Sequence, residues 1–434
     1  MKKLIFICCL LPLFAVAQHQ LSGSFSPAED FKAAILYKIE ITNSVYINHA
    51  NIENGVFELT LPPDAKSGMY RIVYALPQNE YNFDFIYNNE DIQFTFNQDE
   101  GVKFLNSDEN LLLTQYRGEM QKTKTAINSF YSNANPNPSD YLNYITALKT
   151  TQNQFESKSK GTLAHHFIVS EKPYTPNNYE DAATYFNNYK THYFDAIDFS
   201  DPVLKNSNAL LDAALNYVFI FVDKDQPNAS YKNNIDRVVE QLQNETALQK
   251  TILEILWSQF KDQQNNVVAN YISSTYLLQL LDPETDKDFL DEIQAFKNTA
   301  IGVTAPNFSW PTPEGTKSLD QLSGNTFYIV TFWSSTCSHC LEELPVLKQY
   351  LSHKPKTKVI AIGLEDEPTH WQQTIKNYPD FTHIYGEGHW DNPISTMYGV
   401  TGTPSFFVLD ASKKIVAKPD DVEELMSFLD LQHQ

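Results

Sequence analysis

The sequence predicts a multidomain chain: an N-terminal antiparallel β-sandwich, a central all-α region and a C-terminal α/β fold with a mixed sheet. Three changes of pattern predict it. Apolar residues alternate with period two to about residue 105, then recur at helical spacing to about residue 300. From there they gather into buried strands that alternate with helices to the end of the 434 residues. Roughly 100–200 residues per domain gives about three domains for this length. The expected divisions are a leader at 1–17, a β-sandwich-like domain at 18–105, a helical domain at 106–300 and an α/β domain at 301–434.

Four runs carry the β region: Ile35, Tyr37, Ile39 and Ile41; Phe57, Leu59 and Leu61; Tyr81, Phe83, Phe85 and Tyr87; and Ile92, Phe94 and Phe96. Each places apolar side chains on one face and polar ones on the other, as in antiparallel strands with one buried face. Asn54-Gly55, Pro62-Pro63-Asp64, Ser67-Gly68 and Asn88-Asn89-Glu90-Asp91 supply turns between strands. In the helical region, Tyr141, Ile145, Leu148 and Phe155 share one helix face, as do Ile252, Ile255, Leu256 and Phe260. Prolines at 136, 138, 202, 227 and 283 mark expected helix starts. Val218 to Val222 is the strongest apolar run there and reads as part of a core helix.

In the C-terminal region, Phe327 to Trp333 is continuously apolar, as a strand covered on both faces must be. A helix is expected at 338–351, a strand at 358–363, a helix at 368–378, a short strand at 381–385 and a helical turn at 392–398. A hairpin at 405–417 and a helix at 420–431 complete it.

Met1-Lys2-Lys3, the apolar stretch from Leu4 to Phe14 and Ala15-Val16-Ala17 have the layout of a secretory signal peptide cut before Gln18. The stretch is short of the ~18 apolar residues needed to span a bilayer. No later run reaches that length, so the mature chain is expected not to insert in a membrane and to occupy the periplasm or another extracytoplasmic space. The formal charge of −21 argues against nucleic-acid partners and against anionic membrane surfaces, both of which need a basic face.

Four cysteines occur: Cys8, Cys9, Cys337 and Cys340. The first pair falls in the leader. The second forms Cys337-Ser338-His339-Cys340, just after the buried strand and at the start of a helix. Helix N-terminal N–H groups stabilise a thiolate there, and Cys340 one turn on is within disulfide reach. A CxxC so placed points to redox chemistry. A purely structural disulfide would close a tiny loop and constrain little. Zinc would need further ligands that the sequence does not supply, and Leu341 in place of histidine excludes haem attachment. Neither a metal nor an organic cofactor is implied.

Gly302-Val303-Thr304-Ala305-Pro306-Asn307-Phe308, the stretch Val330 to Cys340, Glu343 with Pro345, and Tyr398 to Asp410 together resemble the TlpA/ResA-like branch of the thioredoxin superfamily, often grouped with AhpC/TSA. The resemblance covers the C-terminal domain and implies a thioredoxin-like fold there. It implies Cys337 as attacking thiolate, Cys340 as resolving thiol, and Thr403-Pro404 as a cis-proline loop that presents backbone to a substrate strand. Glu343 stands at the branch's CxxCxxE position, three residues after Cys340 and on its helix face, and would take and return the Cys340 proton. Ser338, His339 and Trp333 would tune the potential: a positive charge on His339 favours the thiolate and so a more oxidising pair. Trp333 also reads simply as a packed strand aromatic. The chain departs from thioredoxin at Thr331, where thioredoxin has a buried aspartate, and at Thr336, where it has tryptophan.

The function implied is thiol–disulfide oxidoreductase, acting on protein disulfides or thiols, with a membrane reductase as electron donor if the task is reduction. Two alternatives stand beside it. A thiol peroxidase would use Ser334 three before Cys337, but needs an arginine, and the last in the chain is Arg237. A partner-binding protein would place the essential work in residues 18–300 and leave the redox pair a regulatory role.

Overall fold

The computed structural model describes residues 19–41, 43–133 and 137–432. The expected signal peptide and its cysteines lie outside the described residues, as do two residues of the proline-marked break at 135–138. The chain divides into two compact units, 1–252 and 253–434.

The first unit opens with eight strands: β1 (Gln20–Ser26), β2 (Ala33–Ile39), β3 (Ser44–Asn51), β4 (Val56–Thr60), β5 (Gly68–Val73), β6 (Asn82–Tyr87), β7 (Ile92–Asn97) and β8 (Gly101–Phe104). They form two four-stranded sheets, ordered β4-β1-β7-β8 and β3-β2-β5-β6. Leu21, Phe57, Phe94 and Phe96 from the first sheet share one core with Leu36, Tyr70, Ile72 and Phe85 from the second. That is a sandwich. Pairing is antiparallel except between β1 and β7, which run parallel because the chain crosses to the other sheet and back between them. The Phe25 ring lies within 5.9 Å of the rings of Phe31, Phe57, Phe94 and Phe96. Gly23 makes room for this packing: a Cβ there would sit 2.6 Å from the Phe94 ring.

One face assignment is corrected. In β2 the buried residues are Ala34, Leu36 and, beyond a register irregularity between Leu36 and Tyr37, Ile39 of the expected run; Ile35 and Tyr37 are only partly buried and Ile41 lies beyond the strand. This strand is apolar on both faces, so alternation alone did not settle which face turns inward. The Asn54-Gly55 turn has both residues in the left-handed region, φ 52° and 79°, the geometry a tight hairpin requires.

Helices follow: α1 (Asp108–Ser132), α2 (Pro138–Lys158), α3 (Ala164–Ser170), α4 (Ala182–Thr191), α5 (Pro202–Lys205), α6 (Ala209–Ile220), α7 (Pro227–Gln241) and α8 (Thr246–Asp262). Pro138, Pro202 and Pro227 each occupy a first helical position. Tyr141, Ile145, Leu148 and Phe155 are buried on one face of α2. Helix α8 spans the divide between the units, so the helical stretch belongs partly to each.

The second unit continues with α9 (Asn266–Ile272), a π-helical turn, α10 (Leu278–Leu280) and α11 (Lys287–Asn298). Pro283 does not start a helix. Asp282 accepts from the N–H groups of Glu284 and Thr285, closing a turn there, and α11 begins at Lys287.

Next come the hairpin β9 (Ser309–Thr312) and β10 (Gly315–Ser318), then β11 (Phe327–Trp333), α12 (Ser338–Leu351), β12 (Thr357–Glu365) and α13 (Pro368–Thr374). The chain ends with β13 (Thr382–Glu387), α14 (Pro393–Tyr398), β14 (Ser405–Asp410), β15 (Ile415–Ala417) and α15 (Val422–Leu431). Strands β11 to β15 form one sheet ordered β13-β12-β11-β14-β15. The first three run parallel, and β14 and β15 are antiparallel additions.

All seven residues of β11 are buried. Tyr328, Val330 and Phe332 enter a core that includes Tyr398 of α14. Phe327, Ile329 and Trp333 enter the opposite core, with Leu344 and Leu347 of α12 and Leu425 and Leu429 of α15. Helices cover both faces, and this is the α/β thioredoxin-like fold.

Candidate active site

The first cysteine caps a helix. Strand β11 ends at Trp333, the chain turns through Ser334 to Thr336, and Cys337 takes the N-cap position of α12. Its Sγ accepts the Cys340 N–H at 3.2 Å, the place a serine or aspartate oxygen fills in an ordinary cap. The Cys337 thiol in turn donates to the Thr403 carbonyl at 3.4 Å. Burial pushes the Cys337 pKa up. Hydrogen bonds from the Cys340 thiol, the Thr403 side chain and the N–H groups of Cys340 and His339 outweigh it and hold the thiol below its ordinary value.

Cys340 lies on the inward face of α12 and is fully buried. Burial, then the neighbouring Cys337, push its pKa up to about 12, against an opposing backbone bond from Ser334. Both cysteines are free thiols. The two members of the motif are therefore chemically unlike: one is poised to ionise and half-exposed, the other is held protonated inside.

The loop between α14 and β14 faces the pair. Gly399 ends α14 in the left-handed conformation, φ 65°, where α11 also passes close: a Cβ on it would meet Ala295 at 3.1 Å. The Thr403–Pro404 peptide bond is cis. Pro404 borders a cleft of about 430 Å³ walled by Phe296, Ile301 and Val400, with Lys261 and Lys418 among its polar lining.

Glu343 is half-buried in the first part of α12. Burial raises its pKa, and the Asp421 and Glu342 charges add to this, while the Val422 N–H and His339 oppose it. Its Oε2 accepts the Val422 N–H at 3.1 Å, which ties α12 to the start of α15. The carboxylate's hydrogen bond thus goes to α15 and not to the Cys340 sulfur. Ser338 and His339 are exposed on the first turn of α12. His339 reaches the Cys337 sulfur through its backbone N–H, and its side-chain charge bears on Glu343. Trp333 is fully buried in the core that holds Cys340, with its ring 6.4 Å from Tyr378. Thr331 is fully buried too, and its hydroxyl has no hydrogen-bond partner among the described residues.

The sequence reading missed Glu365. It ends β12, is 4% exposed, and accepts the Ser335 N–H at 2.5 Å and the Ser334 hydroxyl at 3.4 Å. Ser334 is thereby committed to Glu365 and to Thr336, whose hydroxyl lies 2.9 Å away. In the sequence, Glu365-Asp366-Glu367 looks like an exposed acidic turn. Among the described residues, no group of three His, Cys, Asp or Glu side chains is placed to hold a metal.

Residues 325–415 match the family described as thioredoxin-like. Over 122 residues the chain is 30% identical to the thiol–disulfide oxidoreductase ResA of a Bacillus cereus strain, spanning 27% of this chain and 68% of that protein. The chain belongs to the thioredoxin-like thiol–disulfide oxidoreductases. A second member of the family, ResA of Bacillus thuringiensis subsp. konkukian, is 28% identical over 120 residues, 27% of this chain and 67% of that one. Among solved structures, a thioredoxin-like protein from Bacteroides caccae aligns with a TM-score of 0.42 at 18% identity, over 60% of this chain and 98% of its own. The thioredoxin domain of a thiol–disulfide oxidoreductase from Bacteroides vulgatus aligns with a TM-score of 0.28 at 21% identity, over 31% of this chain and 99% of its own.

Proposed function

We propose that this oxidoreductase exchanges disulfides with protein substrates in an extracytoplasmic compartment, with residues 301–434 as its catalytic domain. The unlike pKa shifts of the two cysteines carry the reading. The Cys337 thiolate attacks one sulfur of a substrate disulfide. A mixed disulfide forms and the other substrate sulfur leaves as a thiolate, which takes up a proton. Cys340 then loses its proton and attacks the Cys337 sulfur. The substrate's second thiolate departs, and the enzyme keeps the Cys337–Cys340 disulfide. Two electrons have passed to the substrate. Run backwards, the same steps oxidise a substrate dithiol.

Burial makes the Cys340 proton hard to remove, so the second step needs a base. Glu343 is the candidate, since a carboxylate held above its usual range is a better proton acceptor. The cis Thr403–Pro404 loop, whose Thr403 carbonyl meets the Cys337 thiol, would hold the substrate segment in line with Cys337. The extracytoplasmic assignment rests on the expected signal peptide. No helix among the described residues is long and apolar enough to cross a membrane. In the reducing direction a membrane reductase would return electrons to the pair.

The test is substrate trapping. Cys340→Ser should accumulate mixed disulfides through Cys337, identified by mass spectrometry of non-reduced adducts. Cys337→Ser should trap nothing. Adducts of equal yield in both variants, or none in the first, would overturn the assignment.

A further inference from the structure

We propose that Glu365 is a positioning residue for the redox pair, clamping the turn that touches both cysteines. The inference rests on the exchange chemistry proposed above and adds a group from a different strand. A carboxylate this buried is expensive unless it is well satisfied. Among the described residues Glu365 has no ion-pair partner, and its oxygens go to the turn: Oε1 to the Ser335 N–H and Oε2 to the Ser334 hydroxyl.

That turn is the support of the active site. The Ser334 carbonyl accepts the Cys337 N–H at 3.2 Å, and its hydroxyl accepts the Thr336 N–H at 3.2 Å. A backbone bond from Ser334 also lowers the Cys340 pKa. Holding Ser334 and Ser335 therefore fixes where Cys337 stands against the His339 and Cys340 N–H groups that stabilise its thiolate.

The clamp itself is rigidly mounted. In the parallel pairing of β11 and β12, Trp333 lies opposite Gly363, so Glu365 projects two residues further, level with the turn. Trp371 of α13 packs against that strand end: a Cβ on Gly363 would sit 2.3 Å from its indole nitrogen. A carboxylate on a packed strand holds a loop more precisely than one on the loop would.

The experiment compares wild type, Glu365→Ala and Glu365→Gln in the full chain. It measures the Cys337 pKa by thiolate absorbance, disulfide exchange at pH 7 with a peptide disulfide, and thermal unfolding. Glu365→Ala should raise the Cys337 pKa and slow exchange about tenfold, the effect of losing one charge-assisted hydrogen bond's worth of order. Glu365→Gln, which keeps an oxygen for the Ser335 N–H, should restore both. An unchanged thiolate pKa and rate in Glu365→Ala, whatever happens to its unfolding temperature, would reduce the residue to a structural role and overturn the inference. So would a Gln variant as slow as Ala. Should Ala fail to fold, Glu365→Asp draws the oxygens back by one methylene and should shift both readouts the same way; no shift overturns the inference. Wild type that exchanges no disulfide would instead overturn the functional reading on which this rests.

Discussion

The chain builds two sheet systems, and they place their polar groups by opposite rules. In the sandwich, each sheet turns one face to the shared core, and the outer face of β5 and β6 carries a mostly buried polar pair beside Met69, Val73 and Ile86, which are buried too. Arg71 and Asp84 stand opposite each other on β5 and β6 and form a two-pronged ion pair, at 2.6 and 2.9 Å. In the five-stranded sheet of the second unit both faces are covered, and β11 is buried throughout, with Thr331 its single polar side chain. Reactive groups then have only the strand ends. Cys337 follows β11, Glu365 ends β12 and the cis Pro404 precedes β14, all at one end of that sheet. A two-faced core concentrates chemistry at its edge, where backbone N–H groups and helix starts are free to act.

The sharpest expected contrast lies within that edge. At pH 7 in the reduced protein, iodoacetamide should label Cys337 about a thousandfold faster than Cys340, because the thiolate is the nucleophile and only one of the two is poised to ionise. Labelling of Cys337 should rise with pH and level off below the ordinary cysteine pKa near 8.5. Peptide mass spectrometry over a pH series measures both rates, and equal rates would erase the asymmetry. Next in size is the contrast between sheet systems. Ile329→Ala, in the two-faced core beneath the site, should lose about 2–5 kcal/mol in urea unfolding and also slow exchange. Arg71→Ala, which takes from Asp84 its cation and leaves it the Asn208 amide, should lose about 1–3 kcal/mol and leave exchange unchanged. An exchange defect in Arg71→Ala would show the sandwich to be part of the catalytic apparatus.

The smallest effect on stability concerns Glu343. Burial raises its pKa in the folded protein, so above the ordinary carboxylate value near 4.3 the folded state holds more protons than the unfolded state. Stability therefore falls as pH rises through that window. Glu343→Gln removes the titration and should gain on wild type across it, by under about 1 kcal/mol for a half-buried group. If it is the base for Cys340, the same variant should slow mixed-disulfide resolution about a hundredfold. Denaturant titrations at several pH values and rapid-quench kinetics read the two effects separately.

The sequence by itself determined the class of each region and the location of the redox motif. Periodicity is a local property: a run such as Phe327 to Trp333, apolar but for Thr331 and rich in β-branched and aromatic residues, reads as a strand covered on both faces. A CxxC just after it falls at a helix start whatever surrounds it. Local pattern did not determine which face of β2 turns inward, because Ile35 and Leu36 are equally apolar and only the opposing sheet chooses between them. It did not reveal that β1 and β7 pair in parallel, since strand neighbours far apart in sequence are set by packing. Nor could it distinguish Glu365 from the acids beside it. Asp366 and Glu367 are exposed, while Glu365 is buried beneath the Ser334–Ser335 turn by the register of β12 on β11. It also left open where the Glu343 carboxylate points, which the arrival of α15 decides through the Val422 N–H. Residue type and spacing carry the chemistry available to a chain; burial, partner and distance arise only when remote segments meet, and those decide which of the available groups are brought to bear.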